Sequence, residues 1–389
     1  MILYLRNNNL KITTMSTRRD FMSTSVKAAA VAGLAPVIPV FPGTDPPFFG
    51  GSTENPSGQR FQSRKKYKLE QKHGLGGVAI GNAFRPTTDK QAQEAMEGAW
   101  EAGVRYFDTS PWYGLGLSER RFGHFLHNQK REDYILSTKI GRILKASKAL
   151  PETMWQEPSP FTYEYDYSAD GTRRSIEDSL QRLGIESIDV VFIHDLSPDN
   201  GDMKDKWTEY FKIAERGAMP ELTKMREEGL IKAWGLGVNT IEPILKTLEV
   251  AEPDICLSAT IYSLIEHEDA LNRLFPACEQ HGVSIVSGAP LNSGFLAGID
   301  RYNYSTEIPP AYMEKREKIS QIAQAHGVDL RTAALQFAAA PSVVSAVIPG
   351  TRYPDQAKAN VASMETKIPA GFWEELKKEG LIAAHAPTP

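Results

Sequence analysis

The chain has 389 residues, 41% of them hydrophobic and 24% charged, with a formal net charge of −4. This is the balance of an ordinary soluble globular protein. An acidic total with only short basic clusters, Arg64-Lys65-Lys66 and Arg173-Arg174, argues against a nucleic-acid-binding surface. The cysteines Cys256 and Cys278 lie in apolar segments and read as core fillers, and the histidines lack metal-ligand spacing, so neither a disulfide nor a metal is expected.

Residues 1–41 read as an export segment. Arg18-Arg19 precedes an uncharged apolar run, Ala28–Phe41, in an order that resembles a bacterial twin-arginine signal. The run is shorter than the ~17–25 residues that cross a bilayer, so no stable membrane anchor is expected. This reading makes the export machinery a partner and the periplasm the destination, with the cytoplasm as the alternative. Residues 42–66, rich in Pro, Gly and Ser, read as a linker.

From residue 67 to 389, short β-rich runs alternate with amphipathic helical runs. The expected strands are Val78–Ile80, Tyr106–Asp108, Tyr134–Thr138, Val190–Ile193, Lys232–Leu236, Ile255–Ser258, Ser284–Ser287 and Ala346–Ile348. Several are continuous apolar runs, which marks parallel strands buried on both faces. Strand followed by helix, repeated eight times, predicts a closed (β/α)₈ TIM barrel with parallel strands. No Gly-x-Gly-x-x-Gly opens a βαβ unit, so an open dinucleotide-binding sheet is disfavoured. Residues 142–167 and 195–218 read as long loops at carboxyl strand ends, the face on which barrels carry their active sites.

Polar residues gather at three successive strand ends. Asp108 ends the second strand and Tyr113 follows it; Lys139 ends the third and His194 the fourth. In a barrel these ends meet at one mouth. Hydride transfer to a carbonyl needs a proton donor at the developing alkoxide. Tyr113 is the candidate acid/base, with Lys139 expected to lower its pKa, Asp108 to hold Lys139, and His194 to hydrogen-bond the substrate oxygen.

With those residues in place, the chain resembles the aldo-keto reductase family. Gly103-Val104-Arg105-Tyr106-Phe107-Asp108-Thr109-Ser110 with Tyr113-Gly114 is similar to its first signature, and the resemblance runs from about Leu75 to Ser363. It implies a catalytic tetrad at Asp108, Tyr113, Lys139 and His194. It further implies NAD(P) held by Asn239 at the carboxamide, by Asn292, Ser293 and Gly294 near the pyrophosphate, and by Gly350, Thr351, Arg352, Gln356 and Asn360 at the adenosine end. The Asn-Ser-Gly run and Tyr262-Ser263-Leu264 resemble the branch of D-threo-aldose (L-fucose) 1-dehydrogenases. Three positions depart from common family choices: Ala259 in place of Gln, Gly288 in place of an aromatic residue, and Gln356 where NADPH-preferring members often carry Arg. The implied substrate is a small sugar or aldehyde. The alternatives are a general NADPH-dependent aldehyde/ketone reductase and a non-catalytic cofactor-binding regulatory protein.

Overall fold

The structure, a computed structural model, describes residues 67–389; the expected export segment and linker lie outside them. Ten strands occur among the described residues: β1 (Leu75–Gly76), β2 (Tyr106–Asp108), β3 (Ile135–Ile140), β4 (Arg142–Ala146), β5 (Phe161–Tyr165), β6 (Val190–His194), β7 (Ala233–Val238), β8 (Ile255–Ala259), β9 (Ser284–Gly288) and β10 (Val344–Ile348). Eight form one sheet in the order β1-β2-β3-β6-β7-β8-β9-β10. Every pair in it is parallel. The ring closes because the first segment also pairs with the last strand, through the parallel bridges His73↔Val347 and Gly76↔Gly350. Helices such as Asp89–Glu101, Leu117–Leu126 and Ala169–Leu183 connect the strands, and the fold is a (β/α)₈ barrel.

The pleat decides which side chains reach the interior. Successive residues of a strand point to opposite faces. On β6, Val190 and Phe192 join the inner apolar cluster, while Val191 and Ile193 pack in the larger outer one. His194 continues the inner parity. On β2, Tyr106 points inward and Phe107 outward, which turns Asp108 inward. On β3, Leu136 and Ile140 pack outward, so Ser137 and Lys139 face in. The inner row therefore changes from apolar to polar as each strand reaches its carboxyl end.

Two expectations need correction. The first strand is Leu75–Gly76, and Val78–Ile80 lies in turns. The reason is steric: a Cβ on Gly76 would lie 2.8 Å from the Ile348 carbonyl oxygen, and one on Gly77 would lie 2.7 Å from that of Asp108. Only glycines permit this close pairing with both neighbours. Residues 142–167 are also more ordered than a loop. They contain the antiparallel hairpin β4–β5, with Arg142 opposite Tyr165. Residues 195–218 include the helix Trp207–Arg216.

Candidate active site

Asp108 and Lys139 form an ion pair, Nζ to Oδ2 at 2.7 Å, with each side chain 1% exposed. The Ser137 hydroxyl donates to Asp108 Oδ1 at 2.7 Å, and Lys139 Nζ donates also to the Thr109 carbonyl at 2.8 Å. Burial pushes the Asp108 carboxyl up and the Lys139 ammonium down, and their mutual attraction opposes both shifts. So many charge-assisted contacts keep the pair ionised.

Tyr113 is held over this pair. Lys139 Nζ sits 4.7 Å from its ring centroid, and the rings of Trp155 and His194 stand 5.7 Å and 5.8 Å away. The expected lowering of the phenol pKa is not the net effect here. Burial, followed by the charge of Asp108, raises it well above the ordinary value. Lys139 is already matched by Asp108 at close range, so little of its charge is left to favour a phenolate.

His194 is also buried. Desolvation, then the charges of Lys139 and Arg142, push its pKa well below the ordinary imidazole value, so the ring is neutral at pH 7. Its Nδ1 lies 3.1 Å from Ser110 Oγ, and its Nε2 lies 3.4 Å from Asp195 Oδ1.

Three residues at this mouth escaped the sequence reading. Arg142 donates to Asp195 Oδ2 at 2.8 Å and to the Tyr165 hydroxyl at 3.0 Å. Its guanidinium also lies over Trp112 at 4.4 Å and Tyr165 at 5.0 Å. Asp195 holds a left-handed backbone, φ 47°. Ser110 follows Asp108 by two residues and is fully buried. Two signals were available: Ser110 shares the alternation of Tyr106 and Asp108, and Asp195 adjoins His194. Nothing local marked Arg142.

The residues expected to hold NAD(P) lie beyond the carboxyl ends of β7, β9 and β10, on the same face of the barrel. Asn239 Nδ2 donates to Asp199 Oδ2 at 2.9 Å. Asn292, Ser293 and Gly294 form a run of left-handed residues, with φ of 47°, 59° and 100°. Asn292 Nδ2 donates to Asn303 Oδ1 at 2.9 Å, while its own Oδ1 is buried without a protein partner. The Gln356 side chain ties Thr351 Oγ1 and the Arg352 amide at 3.1 Å each, and Asn360 is buried on the same helix.

Arg352, expected at the adenosine end of NAD(P), is bonded within the protein. Its guanidinium turns into the loop after β1 and donates to Ala79 O and Arg85 O at 3.2 Å, to Thr87 Oγ1 at 2.5 Å, and to Ala83 O. Burial, then Arg85 and Arg301, lower its pKa to about 10. Among the described residues no carboxylate is ion-paired with Arg85, Arg301 or Arg352. A cationic cluster beside the left-handed 292–294 turn fits the phosphates of a dinucleotide, and the orphaned Asn292 acceptor fits a hydroxyl or N–H donor of the same molecule.

A sequence profile described as the Aldo/keto reductase family matches residues 72–380. A D-threo-aldose 1-dehydrogenase from Pseudomonas sp. is 35% identical over 81% of this chain and 94% of its own length. A pyridoxal 4-dehydrogenase from Microbacterium luteolum is 33% identical over 80% of this chain and 94% of its own. In fold, the chain is similar to a glycerol dehydrogenase from Gluconobacter oxydans at TM-score 0.61 and 22% identity, covering 84% of this chain and 96% of that one. It is also similar to the holo form of an aldo-keto reductase from Bacillus halodurans at TM-score 0.59 and 23% identity, covering 83% and 97%.

Proposed function

Since the chain belongs to the aldo/keto reductase family and is thereby an NAD(P)-dependent oxidoreductase, we propose that it oxidises the C1 hemiacetal of an aldose to the lactone and catalyses the reverse reduction. The bound nicotinamide supplies the hydride acceptor at its C4. The protein's part begins once the Tyr113 phenol has lost its own proton to solvent: the phenolate oxygen takes the C1 hydroxyl proton as the C1 hydrogen leaves with its electron pair, and in the reverse reduction the phenol gives that proton back. His194, neutral, hydrogen-bonds the C1 oxygen, and Lys139, held by Asp108, is the cation 4.7 Å from the Tyr113 ring as the phenol oxygen changes charge.

One observation carries the choice of a sugar. Beside His194, a carboxylate and a guanidinium, Asp195 and Arg142, stand against Trp112, Tyr163 and Tyr165. Hydroxyl donors and acceptors next to aromatic faces suit a polyhydroxylated ring, and the relative named as a D-threo-aldose 1-dehydrogenase supports this reading. The residues expected at the carboxamide, pyrophosphate and adenosine fit NAD(P), with Arg85 and Arg301 added to the anion-facing set. The test is a binding titration with NAD and NADP, followed by initial rates on L-fucose, D-arabinose, pyridoxal and simple aldehydes. Aldoses are expected to give the highest kcat/KM; turnover of simple aldehydes or pyridoxal alone replaces the reading.

Export rests on residues 16–41 and is proposed from the sequence. Fractionation of cells carrying the native chain and Arg18→Lys/Arg19→Lys is expected to shift the protein from periplasm to cytoplasm. A cytoplasmic location for both chains ends the proposal.

A further inference from the structure

We propose that Ser110 is a positioning residue that holds His194 in the tautomer with its hydrogen on Nε2, the nitrogen beside Asp195. The inference rests on the proposed role of His194 at the substrate oxygen and says which way that hydrogen bond runs.

The argument is an accounting of hydrogens. The Trp112 backbone N–H donates to Ser110 Oγ at 3.1 Å, and the same oxygen lies 3.1 Å from His194 Nδ1. Ser110 is 0% exposed, so water cannot complete its bonding. Were Nδ1 the protonated nitrogen, Ser110 would accept twice, and its own hydrogen would have no acceptor among the described residues. A buried hydroxyl hydrogen left unmatched is disfavoured. With the hydroxyl donating to Nδ1 instead, every hydrogen in the chain Trp112–Ser110–His194 is placed. A second contact selects the same form. Nε2 lies 3.4 Å from the Asp195 carboxylate, which accepts from an N–H but repels a bare nitrogen lone pair. Arg142 holds that carboxylate from the other side at 2.8 Å.

In this form His194 is a hydrogen-bond donor. It polarises a substrate carbonyl and stabilises a developing alkoxide, and it has no lone pair facing the substrate with which to take a proton. That task is left to Tyr113. When substrate enters, the weak Nε2–Asp195 contact is exchanged for one to the reacting oxygen.

Nitrogen-15 spectra of histidine-labelled protein without substrate test the tautomer, with the His194 ring assigned by difference against His194→Gln. The expected spectrum has a protonated Nε2 and a bare Nδ1; a hydrogen on Nδ1 overturns the proposal. Ser110→Ala should give mixed tautomers and lower kcat by about tenfold, a fraction of what positioned proton-transfer groups contribute, with unchanged cofactor affinity. Ser110→Thr should restore both the single tautomer and kcat. If Ser110→Ala keeps the single Nε2–H signal, the assignment is rejected. A hydrogen on Nδ1 in the wild-type spectrum overturns the proposal even if the alanine variant fails to fold. It is also independent of the sugar panel, so a wrong substrate and a wrong tautomer give different failures.

Discussion

At Tyr113, burial and then the charge of Asp108 both push the phenol pKa up. The resting phenol therefore keeps its proton at neutral pH, which suits the reductive direction. Oxidation needs the phenolate, so its kcat is expected to climb as pH rises from 7 toward 10, whereas reductive kcat stays flat or falls. Rate profiles in both directions check this, and an oxidative profile that declines over the range rejects it. Tyr113→Phe removes the proposed proton carrier and leaves the ring packed between Trp155 and His194. Turnover should fall about 10²–10⁴-fold with NAD(P) affinity unchanged. A measurable activity that survives the substitution intact refutes the assigned role.

The hairpin β4–β5 is the element that sets this barrel's mouth apart from a bare rim. Arg142 helps to tie it down, because its guanidinium bonds Asp195 and packs against Trp112, while the Tyr163 and Tyr165 hydroxyls donate to Asp202. Arg142→Met leaves the Asp195 charge poorly compensated, and loss of one partner of a buried pair costs about 3 kcal/mol. The urea midpoint should drop accordingly, and adding Asp195→Asn should recover part of the loss. Full additivity of the two changes would show that they do not act as a pair. The hairpin was hard to read because Phe161–Tyr165, though it alternates aromatic with polar residues, is only half-buried and lacks the continuous buried run of the barrel strands. By contrast β6, β8 and β9 are runs of buried apolar residues, and their ends pointed directly to His194 and to the cofactor-side loops. Asp108 and Lys139 were legible through the same rule of strand ends. Ser110 and Asp195 lay within reach of the same rule, but the partners that give them their roles, His194 Nδ1 and Arg142, are distant in sequence. The direction of Arg352 was hidden for a related reason: a guanidinium serves loop carbonyls as readily as a phosphate.

For the molecule as a whole, acid stability is set partly by histidines buried in neutral form. His267 accepts the Ala383 N–H at Nε2 and pairs with the Ser263 carbonyl at Nδ1, at 3.0 Å each. Burial, then Lys315, lowers its pKa from 6.5 to about 4. The unfolded chain binds this proton first as pH falls, so the folded state loses stability from pH 6.5 down toward 4, by up to about 3 kcal/mol in all. His267→Gln should flatten the decline of the urea midpoint across that window. An unchanged slope would assign the acid sensitivity elsewhere, for example to His73 or His194, whose pKa values are lowered in the same sense.

The seam between the first and last strands has a consequence for timing. Lys72 and Val344, joined across it, are 272 residues apart along the chain. A ribosome must release almost the whole polypeptide before that joint can form, and contacts so distant in sequence assemble slowly. Until then the sheet has two raw borders, and the bridge between Gly76 and Gly350 does not exist. Completion of the ring is thus a late event during biosynthesis.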